Sequence, residues 1–160
     1  MNMRHAEFED IEKIQDVAME SWLDTYSGII PEENIKEIVD SWYDSKDLKQ
    51  QVKDPLFFVA EENGEITGFI HASVKDERAH LHRLYLRPEN QGKGLGTRLY
   101  EKAEDMIKET DARFIRLEVM SENSKGLDFY TSKGFELEKE EKVELNQTEV
   151  MQKVLVKKLV

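Results

Sequence analysis

Residues 83–102 read RLYLRPENQGKGLGTRLYEK. A β-prone run ends at Arg87-Pro88, where a proline cannot donate to a sheet ladder. Glycine then takes every second position, at Gly92, Gly94 and Gly96, and a helical pattern starts at once. These are three of only eight glycines in the chain. Bare backbone at a helix N-terminus leaves N–H groups unpaired at the positive end of the helix dipole, which is an anion site. Lys93 and Arg98 add positive charge, so a phosphate or pyrophosphate is the expected ligand. The spacing G-x-G-x-G matches neither the dinucleotide fingerprint G-x-G-x-x-G nor the P-loop. On the glycines alone, a tight strand-to-helix turn without ligand stays open.

Before the loop, three antiparallel strands are expected. Leu56–Ala60 is apolar, Asn63-Gly64 is a strong hairpin signal, and Ile66–Val74 returns as the partner. A polar turn at Lys75–Arg78 leads to a strand over Ala79–Leu86. After the loop, Leu95, Leu99, Ala103, Met106 and Ile107 mark one helical face. Phe114–Val119 reads as a buried strand and Lys125–Lys133 as a helix stopped by Gly134. Phe135–Lys139 and Val150–Val156 read as the last strands. Toward the N-terminus, Met3–Ala6 is strand-like. Asp10 is placed to cap a helix carrying Ile11, Ile14, Val17 and Ala18 and ending near Trp22. Pro31 opens a helix with the stripe Ile35, Ile38, Val39 and Trp42, and Ser45–Val52 adds a short one. The order is that of an α+β fold, a mostly antiparallel mixed sheet flanked by helices.

The length of 160 residues suits a single domain over 1–160. The balance of 23 basic against 34 acidic residues gives a net charge of −11. That argues against nucleic acid as a partner and suits a cationic small molecule or peptide. No apolar run reaches a membrane span, and MNMRHAEFED carries charges where a signal peptide would need an apolar core, so none is expected. No membrane partner is expected. Cysteine is absent, which excludes disulfides, thiolate metal sites and an acyl-cysteine intermediate. A cytoplasmic location is the expectation.

The run Leu86-x-Pro88-x-x-Gln91-Gly92-Lys93-Gly94-Leu95-Gly96 resembles motif A, Q/R-x-x-G-x-G/A, of the GNAT N-acetyltransferases. Asn123-Ser-Lys-Gly-Leu-Asp-Phe-Tyr130-x-x-x-Gly134-Phe135 is similar to their motif B. The resemblance covers essentially the whole chain and implies the GNAT fold with two splayed central strands. It also implies acetyl-CoA as co-substrate and no metal. The backbone of Gln91, Gly92, Lys93, Gly94, Leu95 and Gly96, with the Thr97 hydroxyl, would take the pyrophosphate. Tyr85 and Leu86 would pair by backbone with the pantetheine arm, and Asn123 would hydrogen-bond it or adjacent backbone. Arg83 and Arg87 would reach phosphates or lie in solvent. Tyr130 would stand near the sulfur as the acid that protonates the thiolate.

An ammonium acceptor must lose a proton before it attacks. His80 and His82, two apart on a strand, share a face if the alternation is regular. They are the candidate catalytic bases; the alternative is a pair of exposed strand histidines. A histidine pair without a further ligand makes a metal site improbable. By the same resemblance the stretch Glu20–Tyr26, between the first two helices, walls the acceptor cleft. Trp22, Asp24 and Tyr26 are its candidate substrate contacts, with core packing the alternative for Trp22. The expected reaction is direct acetyl transfer to a primary amine, a polyamine or other small cationic amine. Acetylation of a protein N-terminus or lysine, and a non-catalytic acyl-CoA sensor, are the alternatives. A homodimer is left open.

Overall fold

The computed structural model describes residues 1–160. The elements run β1 (Asn2–His5), α1 (Ile11–Tyr26), α2 (Glu32–Trp42), α3 (Ser45–Gln51), β2 (Phe57–Glu62), β3 (Glu65–Lys75) and β4 (Arg78–Leu86). They continue with α4 (Leu95–Lys108), β5 (Phe114–Met120), α5 (Ser124–Ser132), β6 (Glu136–Leu145) and β7 (Thr148–Lys158). One sheet holds all seven strands in the order β1-β2-β3-β4-β5-β7-β6. Only β4 and β5 pair in parallel; the other neighbours are antiparallel. This is the expected α+β architecture.

Alternation along the strands builds two cores. Phe57, Val59, Phe69 and Tyr85 face α1 and α2, joining Ile14, Trp22, Ile35 and Ile38. Phe58, Ile70, Leu81 and Leu117 face the other way, onto Leu99, Ala103 and Ile107 of α4. The Asn63-Gly64 hairpin forms as expected, with φ of 52° and 79°, the left-handed pair that a two-residue turn demands. Gly134, at φ 98°, ends α5 in the left-handed conformation that glycine tolerates best.

Four expectations change. Helix α1 runs on to Tyr26, so Glu20–Tyr26 is its last part and not an interhelical segment. Trp22 and Tyr26 are four apart and both face the core, so the stripe carries the helix onward. Asp10 makes no cap bond to α1; its carboxylate accepts from the Glu7 N–H and pairs with Arg4 at 2.8 Å. Burial alone would raise the Asp10 pKa, but Arg4 and that N–H hold it below the usual range. Pro31 stands one residue before α2. Strands β6 and β7 are several residues longer than read, because charged edge residues give a strand no apolar alternation to betray it.

Candidate active site

The site follows from where β4 and β5 stop pairing. Their shared ladder holds only Arg78–His80 against Phe114–Arg116. Beyond it, β4 stays bonded to β3 through Leu86 and β5 to β7 through Met120. Each strand is held from outside, so the inner edges diverge and leave backbone groups of Leu81–Leu86 without a strand partner on that side. An unpaired edge is a template for an extended ligand. The gap opens into a cleft of about 1230 Å³.

The glycine loop closes one end of that cleft. Gly92 and Gly94 have φ of 76° and 80°, and Gly94 stands at the N-cap of α4. The first helical bond there runs from Arg98 N–H to Gly94 O at 3.1 Å, and no backbone carbonyl pairs with the N–H groups of Gly92, Lys93 or Gly94. Helix geometry leaves those of Leu95, Gly96 and Thr97 free as well. The first turn of α4 carries no acidic residue. These donors fit a pyrophosphate. Gln91, Gly92, Gly94, Gly96 and Thr97 line the cleft. The Lys93 side chain is exposed and that of Leu95 is buried, so neither side chain lines it and both offer main chain only.

Asn123 caps α5, its Oδ1 accepting from Gly126 N–H at 3.0 Å. Its Nδ2 donates to the Tyr26 hydroxyl at 3.2 Å. A Cβ on residue 126 would lie 2.7 Å from Asn123 Nδ2, so glycine there lets the cap close. One amide thus ties α1 to the helix that carries Tyr130. The Tyr130 ring packs edge-on against Phe129 and Phe135, and burial, then Tyr85 and Tyr26, push its pKa up. It stays a protonated phenol at neutral pH. Tyr85 and Leu86 both line the cleft; burial raises the Tyr85 phenol too.

Strand β4 carries a bulge. Ala72 faces Leu81 while His71 faces Arg83, so His82 is the extra residue. His80 and His82 share a face as expected, their ring centroids 4.2 Å apart; the bulge breaks the alternation only after His82, so that Arg83, opposite His71, lies on that face too. Both rings line the cleft. His80 Nε2 donates to Glu118 Oε1 at 2.7 Å, which leaves Nδ1 as the free lone pair. That bond, more than the opposing burial, lowers the Glu118 pKa. His82 Nε2 meets Ser73 Oγ at 2.7 Å. The His82 ring is open to the cleft, and its crowded walls disfavour the charged form. With His80, His71 and Arg83 nearby its pKa falls to about 4.

Trp22 is 2% exposed, wedged between Tyr26 and Trp42, and reaches the cleft only as part of its wall. Asp24 lines the cleft with Glu118, Glu122 and Glu141. Glu20 is taken by Arg87 at 2.9 Å. Arg83 stacks 4.1 Å over the Tyr43 ring and donates to Gln51 and to Trp42 O. Both arginines therefore clasp protein groups, although Arg83 also lines the cleft. Glu118, Glu122 and Glu141 escaped the sequence reading, since no local motif marks them; Glu118 meets His80 only through the fold, 38 residues away.

Fold, splayed strands and glycine loop together define an acyl-CoA-dependent transferase. The pattern of the acetyltransferase (GNAT) family matches residues 12–135. The spermidine N(1)-acetyltransferase of Thermoplasma acidophilum is 35% identical over 144 residues, spanning 86% of this chain and 89% of that protein. A putative [ribosomal protein bS18]-alanine N-acetyltransferase of Bacillus subtilis is 24% identical over 136 residues, 84% of this chain and 80% of its own. The crystal structure of the PaiA N-acetyltransferase from Thermoplasma acidophilum in complex with coenzyme A superposes with a TM-score of 0.85 at 32% identity, covering 98% of both chains. The chain belongs to the GNAT family and is an acetyl-CoA-dependent N-acetyltransferase.

Proposed function

We propose that the enzyme acetylates a primary amine of a small polycationic acceptor of the polyamine class. The observation that carries this reading is the composition of the acceptor side of the cleft, where Asp24, Glu118, Glu122 and Glu141 line one cavity with the splayed strands. Asp24 lies in the last turn of α1, whose final turn has no basic residue. The negative end of that helix dipole therefore adds to its attraction for an ammonium. The spermidine N(1)-acetyltransferase relative supports the same class.

Bound acetyl-CoA supplies the activated acetyl group. The free N–H groups of residues 92–97 hold its pyrophosphate, and the Tyr85–Leu86 edge of β4 aligns the pantetheine arm. A β4 main-chain N–H polarises the thioester carbonyl. His82, neutral at pH 7, accepts the amine proton directly or through water, with His80 beside it on Glu118. As the amine nitrogen bonds to the carbonyl carbon and the C–S bond breaks, Tyr130 O–H donates to the thiolate, and its phenolate takes up the second proton that the nitrogen sheds. No acyl-enzyme is needed, in keeping with a chain that has no cysteine. A cytoplasmic enzyme suits such a substrate.

The test is product analysis with spermidine, a short diamine, a neutral-tailed arylalkylamine and an alanine-terminated peptide. Mono-acetylated spermidine with matching CoA release is the expected result. Binding of acetyl-CoA without acetylation of any amine would instead identify a sensor.

A further inference from the structure

A third histidine stands behind the two in the cleft, and the mechanism above does not use it. His71, on β3, is 4% exposed. Its Nε2 donates to Asp54 Oδ2 at 2.8 Å, and its Nδ1 is buried with no hydrogen-bond partner. Its ring stacks on Phe57 at 4.7 Å and lies 4.8 Å from the His82 ring. Neither His71 nor Asp54 lines the cleft, whereas His80 and His82 do. Asp54, in the loop after α3, is 44% exposed at its side chain. Glu118, His80, His82, His71 and Asp54 thus form one row. It starts at the cleft and ends at solvent on the far side of the α3 loop.

Such a row answers a need of the chemistry. An ammonium acceptor loses two protons on becoming an amide. The CoA thiolate takes one of them. The other must leave a cleft filled by both substrates. Resting on the transfer reading above, we propose that the His71–Asp54 pair is a proton-holding site behind the active cleft. His82 passes the surplus proton to it, and it returns the proton to water once product has left. His82, exposed and held only by Ser73, turns to present its N–H to His71 Nδ1. That N–H bond breaks as the bond at His71 Nδ1 forms. The resulting imidazolium keeps its Nε2–H on the Asp54 carboxylate, and the reverse transfer follows when the cleft opens.

The surroundings suit the role. Burial lowers the His71 pKa, Asp54 opposes this, and Arg83 and His80 lower it further. The ring therefore rests neutral at pH 7, the state that accepts a proton. Charged and titratable groups face it from the α3 loop (Asp54) and from β4 (His80, His82 and Arg83), with Glu118 of β5 beyond His80. Phe57 closes the β2 side.

The test is steady-state kinetics of Asp54→Asn, whose half-exposed side chain makes folding safe, with His71→Gln as a second variant. A melting curve and its shift with acetyl-CoA check that each is folded and binds. In dilute buffer we expect kcat for spermidine to fall several-fold in both. KM for either substrate should stay unchanged, and rising imidazole buffer should restore kcat while the wild type ignores it. Wild-type kcat in both variants overturns the inference alone. So does a loss that buffer does not relieve, which marks a structural role. A wild-type enzyme that acetylates no amine overturns the transfer reading and this inference with it.

Discussion

In the proposed mechanism Tyr130 and His82 do opposite jobs, and their environments favour opposite states, a held proton on the phenol and a bare ring nitrogen on the imidazole. The rings of Phe129 and Phe135 and the phenols of Tyr85 and Tyr26 crowd Tyr130, so on this mechanism its proton stays on until the thiolate takes it. Tyr130→Phe removes that proton and little volume. We expect kcat to drop by about 10²–10⁴-fold, while the acetyl-CoA shift in melting temperature persists. An unchanged kcat would mean that water protonates the thiolate. For His82 the sign works the other way. Its folded pKa of about 4 lies below the ordinary histidine value of about 6.5. The neutral base is therefore retained as pH falls through 6.5 and is lost only near 4. The acid limb of kcat should lie below pH 6.5. A limb at or above that value that survives His82→Gln would remove His82 from the mechanism.

At the scale of elements, the glycine loop is where sequence and structure agree most closely. Gly94 is held at φ 80° with nothing within 4 Å of where a Cβ would stand. Gly94→Val therefore clashes with no neighbour but forces a β-branched residue into the left-handed region, at about 1–3 kcal/mol. The loop relaxes by turning its N–H groups away, and we expect the thermal shift with acetyl-CoA to vanish in a protein that still melts cooperatively. A retained shift would move the pyrophosphate site elsewhere. Local chemistry made this loop and the Asn63-Gly64 hairpin legible, since each needs a positive φ that its residue types announce. The bulge at His82 was not legible, because an extra residue leaves no mark on a strand of mixed polarity. Nor were the His80–Glu118 and His71–Asp54 pairs, whose members lie 38 and 17 residues apart. The parallel pairing of β4 with β5 brings the first pair together, and the antiparallel pairing of β2 with β3, which sets Phe57 opposite His71, brings the loop carrying Asp54 to the second.

Over the whole molecule, a net charge of −11 and a cleft edged by carboxylates give the acceptor a direction of approach. Long-range attraction of this kind is screened over about 8–10 Å near physiological ionic strength. For a polycationic acceptor kcat/KM should fall as salt rises, and Asp24→Asn should raise KM more than it lowers kcat. An ammonium held away from the reacting nitrogen is bound alike in ground and transition states. An uncharged-tail amine should respond weakly to both. The sheet, loop and acid of this fold would equally serve a peptide N-terminus, so the acceptor is the point on which the account stands. The most direct measurement is a competition. Wild-type enzyme receives limiting acetyl-CoA with equal concentrations of spermidine and an alanine-terminated peptide, and mass spectrometry counts the acetylated products. The account predicts acetylspermidine in large excess, shrinking with added salt; acetylated peptide as the dominant product would contradict it.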